Sequence, residues 1–192
     1  CRHIAGSAEI TAVTLLGNHP TGTSTVKPAL EVITVILDFQ PRLMSYVKII
    51  DGRSIIFFAV DQWVFERDVD RGFLGEAVAG TLILPHTTLH GTNYLHKQEI
   101  TLKKRLILEL LENLVLSFPD LAHQLHIKPE YFMYEVIMNR VRIFPPLSYG
   151  TSNFMNGKAP KEEVKTVLQG YTEALNQLEK ANKIVLSDGY IT

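Results

Sequence analysis

A chain of 192 residues, 46% hydrophobic and 20% charged, has the composition of a folded globular protein and enough length for one domain or two small ones. Nineteen Lys and Arg against 20 Asp and Glu leave a net charge of −1, without the surplus of cations on which nucleic-acid or anionic-membrane binding draws. A single cysteine excludes an internal disulfide, and the longest apolar runs, 32–37 and 55–60, are too short to span a bilayer, so a cytoplasmic chain with no membrane partner is expected.

Two β-branched runs, Ile10 to Leu16 and Leu30 to Leu37, predict buried strands. Leu43 to Ile50 and Ser54 to Val60 flank Asp51-Gly52, a pair that tolerates positive φ at both positions and predicts a two-residue hairpin. A helix is expected from Gln62 to Leu82, with Phe65, Val69, Phe73, Ala77 and Val78 on one face, and a break or close contact at Gly72, Gly75 or Gly80. The run 66–71 reads as a solvated face, offset by the i,i+3 pairs Arg67–Asp70 and Asp68–Arg71, and Trp63 reads as a core residue. Pro85 to Asn93 reads as a linker.

From Tyr94 the pattern turns helical. Helices are expected over 98–116, over 130–143 with Pro129 at the first helical position, and over 161–180, with a short segment from Pro119 to His126. Pro145-Pro146 stops the second of these, and 148–158 reads as a loop. Ser187-Asp188-Gly189 predicts a terminal hairpin between 183–186 and 190–192. The fold class expected is α+β: a small mixed sheet of about four strands with helices over 1–92, then an all-α or winged-helix-like domain over 93–192.

The stretch Leu15-Leu16-Gly17-Asn18-His19-Pro20-Thr21-Gly22-Thr23-Ser24, followed by Ala29-Leu30-Glu31 on the next strand, resembles the signature of the nucleotidyltransferase superfamily. The segment Phe73 to Leu84, with its Glu76-Ala77 and Gly80 before an apolar run, resembles the end of minimal domains of that family. The resemblance implies a nucleoside triphosphate held by Gly17, Asn18, Thr21, Gly22, Thr23 and Ser24. It implies Glu31 as the catalytic carboxylate, and Mg²⁺ held by Glu31 with Asp61. Yet Ala29 stands where the first carboxylate belongs, Asn18 where the serine belongs, and 54–60 carries no acid. Mg²⁺ demands near-octahedral oxygen coordination, which a lone carboxylate does not supply.

The expectation is therefore a pseudoenzyme, acting as a nucleotide-binding or protein-interaction and regulatory module with a protein partner or as a homo-oligomer. An active enzyme using Glu31 with acids recruited from Asp38 or Asp61 is the alternative. A winged-helix nucleic-acid binder is a third reading, because Leu121 to Glu130 resembles the first helix and turn of a helix-turn-helix. Against base readout, Glu130 and Glu135 come early in the next helix and Arg140 and Arg142 late. His86, His90, His96, His123 and His126 read as surface or capping residues, and Tyr131 to Tyr134 as a core-packing helix face.

Overall fold

The computed structural model describes residues 2–16, 29–121, 125–143, 157 and 159–191. The chain divides into two compact units, Cys1–Gln98 and Glu99–Thr192. Together they make the α+β class expected.

The first unit holds α1 (Arg2–Ala5), β1 (Ile10–Leu16), β2 (Leu30–Ile36), β3 (Leu43–Ile50), β4 (Arg53–Asp61), α2 (Gln62–Arg71), a 3-10 turn (Ala79–Ile83) and β5 (His86–His90). Its five strands form one mixed sheet in the order β3-β4-β2-β1-β5. Only β2 and β4 run parallel, in register from Leu30↔Ile55 to Ile36↔Asp61. The β3–β4 turn is as the sequence predicts, with Asp51 at φ 49 and Gly52 at φ 72, the twist a two-residue hairpin demands.

Successive residues of a strand face opposite sides, so Ile33 and Val35 lie on one face of β2 and Val32, Thr34 and Ile36 on the other. Helix α2 packs on β2, β4 and the 3-10 turn, burying Val64, Phe65 and Val69 beside Leu82 and Ile83. The opposite face gathers Ile36, Phe39 and Ala59 with Ala5 of α1, and Ile4, Ala8, Ile10 and Tyr46 close around them.

Three expectations need correction in this unit. The segment expected as a linker contains β5, paired antiparallel with β1; its Thr87-Thr88 are β-branched residues of an edge strand rather than turn residues. Gly91, at φ 73, ends it so close to β1 that a Cβ would overlap the Thr11 carbonyl oxygen and sit 2.9 Å from that of Ala12. The helix expected to Leu82 stops at Arg71, with its break at Gly72, one of the three glycines where a break was expected: Gly72 takes a left-handed conformation (φ 62) and its N–H caps the Asp68 carbonyl.

The third correction concerns the charged run. Asp68 is fully buried, and its carboxylate accepts from the main-chain N–H groups of Leu74 (2.7 Å), Glu76 (2.9 Å), Val78 (3.3 Å) and Ala79 (2.9 Å). One side chain thus fixes the path from the end of α2 into the 3-10 turn, satisfying donors that have no helix to bond within. The Arg67–Asp70 pair does form, at 3.9 Å and in solvent. Trp63 is 51% exposed instead of buried.

The remaining elements are α3 (Thr92–Ser117), a 3-10 turn (Pro119–Leu121), α4 (Pro129–Ile143), α5 (Lys161–Lys180), β6 (Leu186–Ser187) and β7 (Tyr190–Ile191). Within the second unit α4 packs on α5. Phe132, Met133, Val136 and Ile137 meet the core there, alongside Val167, Tyr171, Ala174 and Leu175. Tyr131 and Tyr134, expected in the core, are partly exposed. The β6–β7 hairpin turns at Asp188 (φ 49) and Gly189 (φ 80). Ile127, just before α4, exchanges two main-chain hydrogen bonds with Ile191 at 3.1 and 2.9 Å.

Lys103 is buried with its ammonium on Glu99, 3.3 Å from the Val167 carbonyl oxygen and 4.7 Å from the Tyr171 ring centroid. Burial lowers its pKa, and the Glu99 carboxylate opposes that shift. Pro145-Pro146, most of the 148–158 loop and His123 lie outside the described residues. No helix among the described residues is long and apolar enough to cross a membrane.

Candidate functional site

The connection from β1 to β2 opens at one end of the sheet, where Leu16 pairs with Glu31. Residues Gly17, Asn18, Thr21, Gly22, Thr23 and Ser24, expected to hold nucleotide, lie outside the described residues. Glu31, the second residue of β2, is exposed at that end.

Registry gives its neighbours. Val47, Ile56, Glu31, Leu16 and His86 form one row across all five strands. Cross-strand partners share a face, so the side chains flanking the Glu31 carboxylate are Ile56 and Leu16. His86 stands two strands away, about 10 Å at ordinary strand spacing. Its Nδ1 lies 3.0 Å from the Leu84 carbonyl oxygen.

Asp61 is at the opposite end of the sheet. It pairs with Ile36 while Glu31 pairs with Ile56, a separation of five residues along parallel strands, or about 16 Å. It is also fully engaged. Its Oδ2 accepts from Phe39 N–H at 2.8 Å, and its Oδ1 accepts from Trp63 and Val64 N–H at 3.1 and 3.4 Å. The Arg42 guanidinium lies 3.0 Å from Oδ1. Asp61 is thus the N-cap of α2 and the anchor of the turn that leaves β2. The structure does not bring Glu31 and Asp61, expected to share an ion, to the same end of the sheet.

Asp38, the other acid considered for recruitment, is exposed at φ 52 just beyond β2, at the Asp61 end. Among the described residues no group of three His, Cys, Asp or Glu side chains converges as a metal site.

Beside Asp61 a groove of about 630 Å³ runs between the β2–β3 turn and α2, lined among others by Asp38, Arg42, Leu43, Trp63 and Phe73. Trp63 and Phe73 meet edge to face at 5.9 Å, and the Arg67 guanidinium lies 5.6 Å from the Trp63 ring. Sequence reasoning missed this groove, because the residues that form it come from segments separated by the whole β3–β4 hairpin.

In the second unit a cavity of about 520 Å³ separates α3 from α4, lined by Leu106, Leu110 and Val136 with Asn113, Asn139 and the Glu109–Arg140 ion pair (3.2 Å). Arg105 also meets Glu109, at 2.6 Å. Apart from this lining, on α5, the Tyr171 hydroxyl is buried with no hydrogen-bond partner among the described residues. Burial foremost, and then the Glu99 carboxylate, raise its pKa.

No family model matches the chain, and no curated protein matches it. Among solved structures, a nucleotidyltransferase-like protein from Exiguobacterium sibiricum 255-15 is similar, with 10% identity and a TM-score of 0.38, over 92% of this chain and 72% of that one. A likeness this distant transfers no residue role.

Proposed function

We propose that the chain is a nucleotidyltransferase-like protein that has lost two-metal chemistry and acts as a nucleotide-binding or protein-interaction and regulatory module. The observation that carries this reading is the row through Glu31, whose adjacent partners are Ile56 and Leu16 rather than carboxylates. A second metal ligand would have to stand there or one residue pair along, and Ala29, Ile33 and Phe58 offer none. Asp61, an acid the alternative of an active enzyme would recruit, lies about 16 Å away at the far end of the sheet and already serves four donors.

Nucleoside triphosphate would bind through the segment containing Gly17, Asn18, Thr21, Gly22, Thr23 and Ser24, with amide and hydroxyl donors and without dependence on Mg²⁺. The second unit supports a binding role. The hydrogen-bonded bridge from Ile127 to Ile191 ties the β6–β7 hairpin to the strand before α4, the layout of a wing. Acidic Glu130 in the first turn of α4 and Glu162 and Glu163 in that of α5 favour a protein partner over a phosphate backbone.

The test is thermal stability with each nucleoside triphosphate, with and without Mg²⁺, on the native chain and Glu31→Ala. Ligand at a hundredfold its Kd adds about 2.7 kcal/mol. The proposal expects a shift that needs neither metal nor Glu31. A metal-dependent shift abolished by Glu31→Ala overturns it in favour of an active enzyme. No shift with any nucleotide removes the nucleotide-binding half and leaves a protein-interaction module.

A further inference from the structure

The two edges of the sheet are built differently. β5 is a five-residue edge, His-Thr-Thr-Leu-His, whose register to β1 slips between Val13 and Thr14. Short, polar and irregular edges are how folded chains avoid pairing with other strands. β3 is eight residues, Leu-Met-Ser-Tyr-Val-Lys-Ile-Ile, paired with β4 without a bulge from Leu43↔Val60 to Ile50↔Arg53. Seven of its eight residues are exposed, Val47 and Ile49 by 71% each. Its outer edge bonds no other strand among the described residues.

The hairpin decides which backbone groups that edge offers. A two-residue turn makes Ile50 and Arg53 the closing hydrogen-bonded pair, so even-numbered residues of β3 bond inward to β4. The Asp61 N–H donating to the Arg42 carbonyl at 2.8 Å continues the same parity. Odd-numbered residues turn outward. The Leu43 N–H is already used, donating to the Pro41 carbonyl at 2.7 Å, which leaves the N–H groups of Ser45, Val47 and Ile49 facing out.

We propose that two copies of this chain pair through β3, antiparallel about a two-fold axis at Val47, into a continuous sheet. This register sets Val47 against its own copy and Ser45 against Ile49. It gives each of the three outward N–H groups a carbonyl on the other strand and needs nothing from Leu43. A register moved one pair toward Leu43 would call on the N–H that Pro41 already holds. On the alternate face Met44 meets Ile50, and Lys48, the lone charge of the strand, meets Tyr46 rather than a second lysine. An interface of two eight-residue edges is at the small end of specific ones, whose lower bound is about 1,000 Å², so a weak dimer in the micromolar range is expected.

Sedimentation velocity of the full chain across micromolar concentrations tests this, with Val47→Lys and Val47→Glu as variants. Val47 is exposed, so both variants should keep the native circular-dichroism spectrum and melting point at dilution. Each places like charges directly opposite at the axis and should weaken self-association by about tenfold or more. Mixing the two variants should restore the dimer, because the introduced charges then oppose. A native chain that stays monomeric up to about 100 μM, at the weak end of that range, refutes the proposal. So does a dimer indifferent to both variants, or a mixture that fails to recover.

Discussion

Replacing Asp68 by alanine removes the acceptor of four main-chain amides at once. Three of them, at Glu76, Val78 and Ala79, are buried with it, while the Leu74 amide is half in reach of water. A buried donor left without a partner costs about 1–3 kcal/mol, and the 3.3 Å bond from Val78 belongs at the bottom of that range. The sum is about 3–8 kcal/mol, a large share of the roughly 5–15 kcal/mol by which domains are stable. Asp68→Asn separates the two oxygens. An amide keeping its oxygen at Leu74 and Glu76 turns its NH₂ toward the N–H groups of Val78 and Ala79, so about 2–3 kcal/mol is lost. Urea denaturation at neutral pH should rank native above asparagine above alanine, with the slope of the transition unchanged. An alanine variant within 1 kcal/mol of native would show that the 72–79 segment is held by its own turns.

Two further substitutions separate scaffold from site. Asp61→Asn should cost about 2–3 kcal/mol by denaturation, because it weakens the α2 cap and leaves Arg42 without its carboxylate. Glu31→Ala, on an exposed strand end, should change stability by less than about 0.5 kcal/mol; the reverse order in the same urea series would contradict the assignment of Asp61 as an anchor. Tyr171→Phe removes a buried hydroxyl without a partner and should be neutral or stabilising by up to about 1 kcal/mol. The folded-state pKa of Tyr171 is raised, so its contribution is present below the ordinary tyrosine range and lost as pH rises through it. The phenylalanine variant should therefore unfold less steeply with pH above about 10, and an unchanged alkaline profile in a pH-titrated melt would count against this.

Local chemistry was legible in the sequence. Asp51-Gly52, Pro129 and the 161–180 periodicity each act through residues within a turn or two, and the structure places a hairpin, a helix start and a helix at those positions. What sequence reading lost were long-range exchanges. Asp61 looked like a free acid because its Phe39 partner lies 22 residues back, and Asp68 looked solvated because its acceptor role involves amides up to 11 residues on. Trp63 sits in α2 where an apolar residue would be expected to face inward, but position N2 of that helix points it along the groove beside Phe73. Of the site, the position of Glu31 at a strand start was visible. Its isolation was visible only in part, since strand order and register decide which residues flank it.

The strand order also sets an assembly sequence. β3 and β4 are joined by two residues and close in microseconds as a hairpin, and β2 joins it after a six-residue link. β1 and β5 meet last, because their contacts, such as the Thr14 hydroxyl on the Thr87 carbonyl oxygen, span 73 residues of chain. On a ribosome, then, the most apolar edge is finished while the polar edge has yet to be made. During that interval β3 is the strand most exposed to pairing with a neighbour still being synthesised.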